Sequence, residues 1–151
     1  MFQVKADVTG AIRGLDQLQK AIRQAQDAAT RSAARRVIVP AVKVAVAYRG
    51  GPAPIGQLGT RTGRLYRQVK AKFFRGKDGL LNGVVKVIGD RAFIARINES
   101  GAASHGRRGG PLPARRMFQT AGWSIRPTAE QHMQQVFAQD LAGRLGGLGR
   151  I

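Results

Sequence analysis

The sequence predicts an α+β fold: a small antiparallel sheet of about three to four strands packed against a long N-terminal helix, with a C-terminal helix and two long basic loops. Three observations predict it. Apolar residues recur at helical spacing over the first third of the chain, they switch to period two after residue 65, and two Gly-, Pro- and Arg-rich stretches interrupt the pattern. The 151 residues suit one domain spanning residues 1–151.

The elements follow in order. Phe2, Val4, Ala6 and Val8 alternate with polar residues, which predicts a short first strand ended by Thr9-Gly10. Ile12, Leu15, Leu18, Ile22 and Ala25 then lie on one helical face, with Arg13, Gln17, Lys20 and Gln24 opposite. The pattern runs on, rich in alanine, through Ala45. Pro40 lies inside it and predicts a kink or a break, because proline lacks the N–H and its ring crowds the preceding turn. Residues 49–63 hold five glycines and two prolines and are expected to form a loop.

From residue 65 the period is two. Leu65, Arg67, Val69, Ala71 and Phe73 share one face of a strand, and Tyr66, Gln68, Lys70, Lys72 and Phe74 the other. Gly76-Lys77-Asp78-Gly79 signals a turn. Residues 83–88 and 92–97 read as two further strands joined at Gly89-Asp90, completing a meander. Residues 100–116 form the second loop. Residues 117–123 suit a short helix, and Pro127 suits the first turn of a last one carrying Met133, Val136, Phe137, Leu141 and Leu145.

Charge is the unusual property. Twenty-six Lys and Arg stand against eight Asp and Glu, a net charge of +18. Such a balance implies a polyanionic or acidic partner: nucleic acid, an anionic membrane surface, or acidic faces of other proteins. Between Asp27 and Asp78 there is no acid and there are twelve basic residues; between Glu99 and Glu130 there is again none, and Arg107, Arg108, Arg115, Arg116 and Arg126 lie there. The basic excess thus concentrates on the two loops and the strand at residues 65–74.

Several chemistries find no support. With no cysteine, disulfides and thiolate sites are excluded. His105 and His132 lack metal-spaced partners, and no phosphate-cradling or nucleophile-elbow motif occurs. The acids fall at turns, caps and helix faces. Glu99, at the end of an apolar segment, is expected to be an ion-pair partner rather than a general base. No catalytic, cofactor-binding or metal-ligating residue is assigned. The start, Met1-Phe2-Gln3-Val4-Lys5, has no apolar core of signal-peptide length, and residues 37–46 are too short an apolar run to span a bilayer. The expectation is a soluble protein made without a Sec signal, with no membrane partner.

Four segments in order carry a resemblance. They are Gly14-Leu15-Asp16-Gln17-Leu18 entering an Ala-rich helix; Ala53-Pro54 followed by Thr62-Gly63-Arg64-Leu65; Ala92-Phe93-Ile94-Ala95-Arg96-Ile97-Asn98-Glu99-Ser100-Gly101; and Pro113-Ala114-Arg115-Arg116-Met117-Phe118 before the last helix. Together they resemble the phage tail-component family of the lambda minor tail protein Z type, over nearly the whole chain. The resemblance implies a structural virion protein at the head-proximal end of the tail, needed for tail completion and head–tail joining. It implies a homo-oligomeric ring, a hexamer to match the tail, assembled in the host cytoplasm. The tail terminator, the tail tube and connector or head-closure proteins would be its neighbours, and genomic DNA in the neck channel would be met without sequence specificity. No catalytic residue is implied. The expected contact residues are Arg61, Arg64, Arg67, Arg107, Arg108, Arg115 and Arg116, with Gly63 and Gly101 serving backbone conformation. A free-standing basic nucleic-acid-binding protein is the competing expectation.

Overall fold

Alanines at four-residue intervals set the main packing of the molecule. Ala21, Ala25, Ala29 and Ala33 are all buried along one side of the first helix, α1 (Val8–Ala33), which runs against a 32-residue last helix, α5 (Met117–Leu148). Residues four apart lie one above the other on a helix, so the four methyls form a smooth seam. Ala121 and Ala129 of α5 are likewise buried. Ser32 Oγ and His132 Nε2 share a hydrogen bond of 2.8 Å across the pair, and Arg144 Nη1 donates to Gln24 Oε1 further along. The two contacts run in opposite chain directions, so the helices are antiparallel.

The computed structural model describes residues 8–47, 64–101 and 114–148. The expected first strand, apart from Val8, and most of both loops lie outside them; Val8 opens α1.

The first helical segment continues through Pro40. After α1 comes one π-helical turn (Ala34–Ile38), in which the Val39 N–H reaches back to the Ala34 carbonyl, and then α2 (Val39–Ala45) with Pro40 in its first turn. The expected break is therefore absent. A wider turn just before the proline relieves its ring, and a first-turn position needs no N–H.

The segment expected to begin a strand at Leu65 begins instead with a helical turn, α3 (Arg64–Gln68). That turn puts Leu65 four residues before Val69, and both meet the core. Strand β1 (Val69–Arg75) then pairs antiparallel with β2 (Leu81–Val87), in register Val69↔Val87, Ala71↔Val85 and Phe73↔Gly83. The turn at residues 76–80 forms as the glycines predict: Gly76 N–H donates to the Leu80 carbonyl, and Gly79 has φ +75°.

The expected third strand, residues 92–97, is a helix, α4 (Ala92–Ser100). Among the described residues the sheet has two strands, not three or four. A short apolar run does not reveal its own period, and packing decides it. The helix sets Ala92 and Ala95 on one face against the core, while Phe93 and Ile94 stay exposed. Gly89 at φ +119° turns the chain into α4, and Gln68 Oε1 accepts the Arg91 N–H at its start.

Residues 117–148 form the single helix α5, not two; Pro127 is internal, ten residues past the start. The core joins α2, both strands, α4 and the start of α5 through Val42, Val46, Val69, Val87, Ala95 and Met117. No described helix is long and apolar enough to cross a membrane.

Candidate interaction surface

The third and fourth sequence segments meet in space. Helix α4 carries Ala92, Ala95 and Glu99 at positions i, i+3 and i+7, so one face packs on the core and delivers Glu99 to the start of α5. Both carboxylate oxygens accept backbone N–H groups there: Phe118 N to Oε2 at 2.9 Å and Gln119 N to Oε1 at 3.0 Å. A helix start leaves such N–H groups without partners and carries partial positive charge, so a carboxylate satisfies both needs. Glu99 is thus a cap borrowed from another helix, and no described ion pair includes it.

The backbone completes the junction. Arg115 N–H donates to the Asn98 carbonyl at 2.7 Å and Arg116 N–H to the Glu99 carbonyl at 3.3 Å. Gly101 has φ +78°, ψ 174°, a region essentially reserved for glycine, which agrees with its expected backbone role. Arg116 has φ +48°, left-handed for a residue with a side chain.

The expected contact arginines divide accordingly. Arg115 is half-buried and Arg116 exposed at this junction; Arg64 and Arg67 are exposed on α3. Arg61, Gly63, Arg107 and Arg108 lie outside the described residues, as does His105. Arg64 faces the turn after β2, where Asp90 accepts a hydrogen bond from the Gln68 side-chain amide. That bond holds the Asp90 carboxyl below the usual range; partial desolvation opposes it, and the charges of Arg91 and Arg64 reinforce it.

Two basic features owe part of their make-up to contacts the sequence does not show. The first is the outer face of the sheet, where the expected face of Lys70 and Lys72 is joined by Lys86. Partners in an antiparallel ladder point the same way, so Lys70 with Lys86, Lys72 with Val84, and Phe74 with Asn82 share one exposed face. Lys70 and Lys86 are directly opposite, a like-charge pair that opposes folding. The second is Arg31 and Arg35, whose guanidinium carbons lie 5.4 and 5.5 Å from the centre of the Phe73 ring. Their four-residue spacing was the available signal; the aromatic partner, 38 residues on, was not readable.

Lys43 Nζ also lies over an aromatic ring, 4.9 Å from the centre of Tyr66. Arg75 pairs with Asp27 at 2.5 Å, tying β1 to α1.

An open groove of about 530 Å³ is lined by Asp16, Lys20, Arg23, Asp27 and Arg75. Its two acids are eleven residues apart on one helix, roughly 16 Å along the axis. Paired carboxylates act at about 5–10 Å. Among the described residues no group of three or more His, Asp or Glu could hold a metal ion. The chain matches no protein-family model, no curated protein and no solved structure.

Proposed function

We propose that the chain is a structural protein of a long-tailed bacteriophage virion. It forms a ring, a hexamer, at the neck or head-proximal end of the tail, and is needed for tail completion and head–tail joining. It acts without catalysis or a cofactor. Its neighbours are further copies of itself, the tail terminator and tube, and connector or head-closure proteins, with genomic DNA passing through without sequence recognition.

The observation that carries this reading is the α4–α5 junction. Two segments that resemble the family, Ala92 to Gly101 and Pro113 to Phe118, are separate in sequence. The described parts of both build one unit through the Glu99 cap and the Asn98 and Glu99 carbonyls. The meeting of these two segments in one local unit is what supports the reading. A second support is unpartnered apolar surface: Ile12, Leu15, Phe93 and Trp123 are each more than half exposed. Large exposed apolar side chains on a small chain suit assembly.

The test is assembly in the absence of the chain. Particles made without it are expected to accumulate as filled heads and separate tails, visible by negative stain. Joined, infectious virions from the same deletion would overturn the reading. The competing reading, a free-standing nucleic-acid-binding protein, is favoured by the exposed lysines of the sheet; a gene neighbourhood without portal, head-closure and major tail genes would select it.

A further inference from the structure

Arg31 lies in the last turn of α1 and Arg35 follows in the π-helical turn, so the two lie about one turn apart on the surface. Like charges four residues apart on a helix oppose its formation. Both side chains are exposed, and among the described residues neither has a carboxylate in salt-bridge reach; nearby Asp27 is taken by Arg75. Both lie instead over one ring, Phe73.

The ring's position is itself specified. Phe73 pairs with Gly83, where an added Cβ would stand 3.3 Å from the ring and 3.5 Å from the Ala34 methyl. The missing side chain lets the ring close between β2 and the π-helical turn. Phe73 therefore acts as a fixed platform holding two cations side by side. An arginine stacked on an aromatic face keeps its edge N–H donors pointing outward, in the fork that matches phosphate oxygens.

We infer that Arg31 and Arg35, held on Phe73, bind adjacent phosphates of one strand of duplex DNA without reading its sequence. Their backbone positions are about 6 Å apart along the helix axis, close enough for two long side chains to reach neighbouring phosphates of one strand, which recur every ~3.4 Å of duplex axis. Three features favour duplex DNA over an acidic protein or a single strand. An excess of 18 positive charges calls for a polyanion rather than a few carboxylates. From Arg31 on no acid occurs until Asp78, and Asp27, one turn before Arg31, is neutralised by its pair with Arg75. The Phe73 ring lies under the two arginines and is not free to stack on unpaired bases. In its biological setting the inference rests on the neck reading, because duplex DNA is what a neck ring encloses; the two fail separately in the experiment below.

The full chain is titrated against a fluorescent mixed-sequence duplex by anisotropy at several salt concentrations. Arg31→Gln with Arg35→Gln should weaken binding by about tenfold or more and lower the log–log salt slope by about 1.8, two phosphates at ~0.9 each. Phe73→Leu keeps both charges and the apolar packing; it should weaken binding by roughly two- to fivefold, the worth of the lost ring. Lys70→Gln with Lys72→Gln removes the same charge from the other face of the sheet and should change affinity less than twofold. Circular dichroism confirms that each variant is folded.

Equal losses from both double variants would mean bulk charge and overturn the inference, as would an unchanged slope in the arginine variant. Polyglutamate competing better than duplex of equal charge would assign the platform to an acidic protein. Particle mass is measured on the same samples. Loss of DNA binding with the ring intact leaves the neck reading standing; DNA binding by a chain that never forms rings removes that reading and keeps the platform.

Discussion

Glu99 has a position that no local rule explains. A carboxylate at the end of one helix takes the first free N–H groups of another, 19 and 20 residues later. Replacing it by alanine leaves both donors without that partner and removes the negative charge from the helix start. Loss of a cap of this kind costs about 0.5–2 kcal/mol. Glu99→Ala should therefore lower the free energy of unfolding, read from urea titration, by that amount, and Glu99→Gln, which keeps one acceptor oxygen, by less. Equal stability of Glu99→Ala and the parent would remove the cap from the account. Gly83 and Gly101 act at the same scale, the one by leaving room for Phe73 and the other by adopting φ +78°.

The two prolines inside helices are resolved differently at the scale of the element. Pro40 follows a π-helical turn and sits in the first turn of α2, where its missing N–H costs nothing. Pro127 is ten residues inside α5, and the Trp123 carbonyl has no N–H to accept from at that point. The helix continues because its flanks are held elsewhere: Met117 and Ala121 in the core before it, Ala129 and His132 against α1 after it. Tertiary contacts thus override a local penalty of roughly 3 kcal/mol. Pro127→Ala should raise thermal stability, whereas Pro40→Ala should change it little. No gain from Pro127→Ala, measured by calorimetry, would contradict a continuous α5.

At the scale of the whole molecule, the helices are long for a chain of this size. Residues 8–45 would extend about 57 Å and α5 about 48 Å, against roughly 30 Å for a small domain. Elements of that length leave surface that one copy cannot cover. Most of the buried residues are alanines, while Ile12 and Leu15 near the start of α1 are 54% and 66% exposed. These side chains do little for the single chain and are available to a neighbour. Ile12→Glu with Leu15→Glu should leave monomer unfolding nearly unchanged, within about 0.5 kcal/mol for exposed sites, and abolish formation of the proposed ring as read by particle mass. Rings formed normally by this variant would assign the stripe elsewhere.

The sequence by itself determined the α+β class, the long first helix, the hairpin at Gly76 to Gly79 and the basic, acid-poor stretch that follows Asp27. Each rests on a local property: a period, a turn residue, a charge count. It did not determine that residues 92–97 are helical, because an apolar run fits either period until a packing partner selects one. The core selected the helix, which sets Ala92 and Ala95 inward and Glu99 at the start of α5. Nor did it determine the placement of Arg31 and Arg35, because their partner Phe73 arrives from a distant strand over a side-chain-free Gly83. The number of basic residues was written in the chain; which of them stand together was decided by contacts between residues far apart in sequence, whose energies no local pattern contains.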